Sequence, residues 1–219
     1  MQFLSWENDL SCHAEKSVVA TFIPALDRIL HIAPDAVTTL RIFSFCDPES
    51  IPIGILKQVC DALYQEDMRN VSTASAVNEP EAIIGLLQSS IRLSKAIQEI
   101  QRLSLAVYTL EGTERAIRIH NLVQLLLRSK LIVATEREQW LEIVICIVCK
   151  AFDGIGDRRS PQDWNQCSQF ISHIEFMEGF AAQYGLGNAT LLDASTWAGI
   201  YFSECGLYGK AAFVARYKR

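Results

Sequence analysis

The chain has 219 residues, half of them apolar and 21% charged, with a formal net charge of −5. A chain this long buries roughly 70% of its unfolded surface and needs no disulfide or metal to fold, and its sparse Gly and Pro exclude disordered and collagen-like classes. No cluster of Lys and Arg builds the basic face that a phosphate backbone needs, so nucleic acid is not an expected partner.

The most apolar window, 143–149, falls far short of the roughly 20 residues that cross a bilayer, so no membrane span is expected. Residues 1–10 carry Glu7 and Asp9 and lack the basic start and apolar core of a secretory signal. Seven cysteines, an odd number, sit mostly within apolar helical patterns. Together these features predict a cytoplasmic protein with reduced, buried thiols.

In chain order, Val18, Val19, Phe22, Ile23, Leu26, Ile29 and Leu30 recur at helical spacing and predict a first helix with one apolar face, with Pro24 a candidate kink. A second helix runs from Asp35 to about Cys46; Leu40, Ile42, Phe43 and Phe45 leave it little wet surface. After the turn Asp47-Pro48-Glu49-Ser50, Pro52 suits the first position of a third helix carrying Ile55, Leu56, Val59, Cys60 and Leu63. A polar loop over 66–80 precedes one long helix from Glu81 to about Leu103. The runs 105–110 and 116–119 flank Glu111-Gly112-Thr113-Glu114 and predict a β-hairpin, the only strands expected.

His120 to Leu131 returns to helical spacing. Thr135 and Glu138 form a capping-box signature before Trp140, Val144, Val148 and Phe152, in a helix ended by Gly154 and Gly156. Ser160, Pro161 and Asp163 start the next, from Trp164 to Tyr184, and Gly185 stops it. Two final helices are separated by Gly206. The expected architecture is mostly α: a winged-helix-like bundle with one small β-hairpin, followed by helical hairpins. Its segments are a lead-in over 1–16, a winged-helix-like domain over 17–133, a helical linker hairpin over 134–187 and an incomplete repeat over 188–219.

Three stretches carry a family resemblance. The run 39–48 with Ile51-Pro52, the stretch Leu103-Ser104-Leu105 with the hairpin, and Ile119-His120-Asn121-Leu122-Val123-Gln124 together resemble the winged-helix segment that follows the nucleotide-binding domain in NB-ARC and related STAND proteins, particularly fungal NOD-like receptors. The resemblance implies that His120 faces the β-phosphate of ADP in the closed state, once a nucleotide-binding domain is present in cis or in trans. Ile119 and Asn121 replace the Met and Asp of the plant Met-His-Asp motif. Gly199, Phe202, Gly206, Tyr208 and Ala211 are similar to the Gly, aromatic, Gly, Tyr and Ala of a tetratricopeptide repeat, whose small residues let two helices approach while aromatics fill the groove. Arg219 falls about 12 residues short of completing that roughly 34-residue unit. The expected role is conformational regulation and protein binding without catalysis, with no cofactor held by this chain and ADP or ATP held in a full-length receptor.

No Gly-x-x-x-x-Gly-Lys-Ser/Thr loop is present; Gly209-Lys210 is followed by Ala211. Two alternatives stand beside the regulatory reading. One is a small zinc- or thiol-dependent enzyme using Cys146, Cys149, Cys167 and His173, against which stands the apolar helix around the first two. The other is a DNA-binding winged helix, for which the helix from Glu81 supplies only Arg92, Lys95 and Arg102 as cations. His173 and Trp164 read as packing and interhelical hydrogen-bonding residues.

Overall fold

The computed structural model describes residues 13–55, 80–111 and 114–216. The fold is mostly helical with a small three-stranded sheet. Helix α1, His13–Ile32, runs unbroken through Pro24 and buries Leu26 and Ile29, while Leu30, expected on the same face, is 41% exposed. Helix α2, Pro34–Phe43, starts on its proline, whose missing N–H costs nothing at a helix start. Leu40, Ile42, Phe43 and Phe45 are all fully buried, as their crowding predicts.

Strand β1, Ile51–Pro52, is a third strand that the sequence pattern does not announce. It pairs antiparallel with β3, Glu114–Ile119, which in turn pairs with β2, Ala106–Glu111, giving the order β1-β3-β2. Two residues show no periodicity, and Pro52 lacks a donor and is confined to an edge. Residues 53–55 open a helical turn. The rest of the third predicted helix and the loop over 66–79 lie outside the described residues, as do Cys12 and Cys60 and the side chains of Phe213 and Val214 at the chain's last helix.

The single helix expected from Glu81 to Leu103 is two: α3, Pro80–Gln88, and α4, Ser90–Arg102. They part at Ser89, whose hydroxyl accepts the Arg92 N–H and so caps α4 instead of continuing α3. On α4, Arg92 pairs with Asp35 and Arg102 with Glu99. Ser104, with φ +56°, swings the chain from α4 into β2.

After β3, helix α5, Asn121–Leu126, widens into a π-turn over Leu127–Leu131. The predicted capping box does not form: Ala134–Glu136 is a 3₁₀ turn, and α6, Arg137–Asp153, begins on Glu136 without a side-chain cap. Asp163 likewise leaves its helix start uncapped, because its carboxylate accepts the Asp157 N–H.

Helices α7, Trp164–Tyr184, and α8, Ala189–Glu204, stop where the glycines predict. Gly185 and Gly206 have φ of +67° and +75°, a region that glycine enters without Cβ strain. The N–H groups of Leu186 and Leu207 then reach back to the carbonyls of Ala181 and Phe202, the Schellman arrangement. Helix α9, Tyr208–Arg216, follows. One continuous core runs from Leu26 to Ala194, so the helices beyond residue 133 share the interior of those before it; a second, small cluster joins Ile171, Ala198 and Phe202. Among the described residues no helix is long and apolar enough to cross a membrane.

Candidate functional site

His120 sits between β3 and α5, in extended backbone (φ −67°, ψ 135°). Its Nδ1 accepts the Leu122 N–H at 3.1 Å, so the side chain caps α5. That bond requires a lone pair on Nδ1, which puts the proton of a neutral ring on Nε2 and turns a donor away from the helix. The ring lies against Phe22 of α1, with centroids 6.1 Å apart.

A cavity of about 400 Å³ opens beside it, near the lower end of the roughly 300–1,000 Å³ typical of ligand pockets. Phe22, Leu105, Ala106 and Ile119 give it apolar walls, and Glu49, Ser104, Arg118, His120 and Asn121 a polar rim. Arg118 and Glu49 form an ion pair of 2.6 Å across that rim, each side chain more than half exposed. Ser104, the one non-glycine among the described residues with a positive φ, lies in the lining. Such conformations cost about 1–3 kcal/mol and cluster at functional sites.

The sequence pointed to His120 here but not to Glu49, Arg118 or Phe22. For Arg118 a signal existed: it alternates with the buried Ile117 and Ile119, which throws it to the other face of β3. For Glu49 and Phe22 there was none, since their place depends on how α1 and the β1 turn meet the sheet.

Four residues beyond His120, Gln124 is 1% exposed, and its side-chain amide donates to the carbonyls of Phe43 and Cys46, both at 2.8 Å. Arg128 donates to the Ser44 carbonyl and lies 4.5 Å over the Phe180 ring. The carbonyls at the end of α2 are thus satisfied from the helix that His120 caps. From the other side, the Asp47 N–H donates to His173 Nδ1 at 3.0 Å, and Phe45 meets Phe180 edge-on at 5.5 Å. The turn at 43–47 is therefore gripped by α5 with its π-turn and by α7. His173, expected to bond between helices, bonds this turn instead. Burial pulls its pKa down to about 4, against an opposing effect of Asp47, and its Nε2 has no hydrogen-bond partner.

The alternative metal or thiol site is not assembled. Among the described residues no group of three or more His, Cys, Asp or Glu side chains is placed to hold a metal ion. Cys146 and Cys149 lie inside α6 in the core, Cys167 is buried near Tyr201, and His173 is turned to the Asp47 turn. Burial, aided by Asp47, pushes the Cys46 thiol up to about 12, and burial also raises Cys149 and Cys167. High thiol pKa values make poor nucleophiles. Cys205 is half-buried, less sheltered than the pattern implies.

Of the repeat-like residues, Phe202 packs on Ile171 and Ala198 with Ala211 against them, and Gly206 makes the turn. Gly199 is half-buried, and Tyr208 is 71% exposed and takes no part in that packing.

The fold and cavity define a mostly helical module with a polar-rimmed pocket at the junction of a small sheet and a helix start. No protein-family model, curated protein or solved structure matches the chain.

Proposed function

We propose that this chain is a non-catalytic regulatory and protein-interaction arm of a STAND-type signalling NTPase, its winged-helix part contacting ADP through His120 when a nucleotide-binding domain supplies the phosphate loop. The observation that carries the reading is the state of His120. One ring nitrogen is spent on its own helix, which fixes the ring, and the other is left as a donor beside an open cavity. A fixed donor suits a phosphate oxygen. The sequence carries no phosphate loop, which would bring a nest of backbone N–H groups, so the chain alone binds ADP weakly.

Calorimetry on the chain by itself is expected to give no measurable heat with ADP or ATP; micromolar affinity, about 8 kcal/mol, overturns the reading. With a nucleotide-binding domain restored, His120→Ala weakens ADP and moves the protein toward its open state, since a contact made only in the closed state biases that equilibrium. Asn121→Ala has the smaller effect. His120→Asn separates the two roles of the residue, because asparagine is a good helix cap but offers no imidazole. If His120→Asn leaves ADP affinity and opening unchanged, His120 is a cap and nothing more.

A further inference from the structure

The cavity beside His120 holds a cation that the regulatory reading does not use. Arg118 stands on the rim next to His120, and its guanidinium is engaged by Glu49 from the turn before β1. That turn is well fixed: the Glu49 N–H donates to the Asp47 carboxylate, the Ile119 N–H donates to the Pro48 carbonyl, and Ile51 pairs with Ile117. Glu49 is thereby held opposite the end of β3. Its carboxylate offers Arg118 a pair of anionic oxygens, which is also what a phosphoryl group offers. Both side chains remain more than half exposed, and an ion pair in that setting is worth little, so a more highly charged anion displaces the carboxylate at small cost.

We propose that Arg118 is a second phosphate-contacting residue of this cavity and that Glu49 is its built-in competitor, occupying the guanidinium until a diphosphate group takes its place. The ligand class is a nucleoside diphosphate, its phosphates between Arg118 and His120 Nε2, with the apolar walls of Phe22 and Ile119 behind. The inference rests on the nucleotide reading above for the identity of the ligand, but the exchange of carboxylate for phosphate at Arg118 is testable without it. With Glu49 in place the Glu49–Arg118 pair contributes no net charge to the rim. The pair therefore disfavours anions of low charge and leaves tight binding to a partner's phosphate loop.

The test is an NMR titration of this chain at low salt with inorganic pyrophosphate, with ADP and with sulfate, following Arg118, His120 and Asn121. Saturable shifts at these residues are expected in the millimolar range for pyrophosphate and ADP, too weak for calorimetry, with sulfate weaker. Glu49→Gln should tighten pyrophosphate about 5-fold by removing the competitor. Arg118→Gln should weaken it at least 10-fold in either background. Both sites are exposed, so thermal melts within about 2 °C of wild type verify the fold. If Glu49→Gln leaves pyrophosphate affinity unchanged, or the three anions act alike without saturation, the proposal fails and the pair is an ordinary surface bridge. If Arg118→Gln abolishes binding while His120→Asn does not, the exchange at Arg118 stands and the role of His120 falls.

Discussion

The turn at 43–47 and the hairpin of α8 and α9 are held in opposite ways. The turn has buried polar groups closing on it from two directions: Gln124 and Arg128 on its carbonyls, His173 on its Asp47 N–H. The start of α8 joins the main core through Leu191 and Ala194, but the far part of the hairpin rests on the small cluster of Ile171, Ala198 and Phe202, and α9 leaves Tyr208 exposed. In the first case removing one partner strands buried groups that have no access to water, so the penalty exceeds the worth of the bond. In the second, removal deletes apolar contact within the small cluster only. The turn should therefore behave as part of the global unfolding unit, and the end of α8 with α9 as a smaller unit that opens alone.

The strongest test of this contrast is Gln124→Ala, which strands the Cys46 carbonyl, takes one of two bonds from the Phe43 carbonyl, which still accepts the Cys46 N–H, and leaves a void. A loss of about 3 kcal/mol in denaturant unfolding is expected, from about 1–3 kcal/mol for the stranded carbonyl plus the cavity. A loss below about 1 kcal/mol would mean that water reaches the turn, and the contrast would dissolve.

Acid probes the same turn from the α7 side. His173 has a folded pKa near 4 against about 6.5 when unfolded, so between those values the unfolded chain binds more protons and stability rises with pH. Neutral His173 keeps its full contribution above about pH 6.5 and loses it as the pH falls toward 4. At about 1.4 kcal/mol per pH unit the loss approaches about 3 kcal/mol. Stability measured from pH 7 to 4 should show this slope, and His173→Gln should flatten it.

The smallest global effect belongs to the hairpin. Phe202→Ala should lower overall stability by no more than about 1 kcal/mol while amide exchange in α9 and the end of α8 speeds at least 10-fold. Equal acceleration in α2 and α6 would show that the hairpin is not a separate unit.

Much of this arrangement was readable in advance where a signal repeats along the chain. Apolar spacing gave α1, α2, α6 and α7, and Gly185 and Gly206 marked real stops. The hairpin followed from two β-prone runs around Gly112. What escaped depends on distant partners: Gln124 reads as a wet residue in an apolar helix because the carbonyls it serves lie about eighty positions earlier. Ser89 reads as helix interior until its hydroxyl captures the Arg92 N–H. Thr135 and Glu138 had the right spacing for a capping box, but a 3₁₀ turn occupies that place. At the cavity, the family resemblance singles out His120, whereas the Glu49–Arg118 pair joins residues far apart in the chain that meet only because β1 pairs with β3.

The π-turn at Leu127–Leu131 has a consequence for how this chain can vary. Between Leu126 and Ile132 it carries a residue more than an α-helix would need over the same rise, and the surplus is absorbed as a bulge. Insertions and deletions are ordinarily tolerated in loops, yet here a single-residue change of length has a place inside a helix. Sequences of related proteins could then differ by one residue at this point while keeping His120 at one end and the start of α6 at the other.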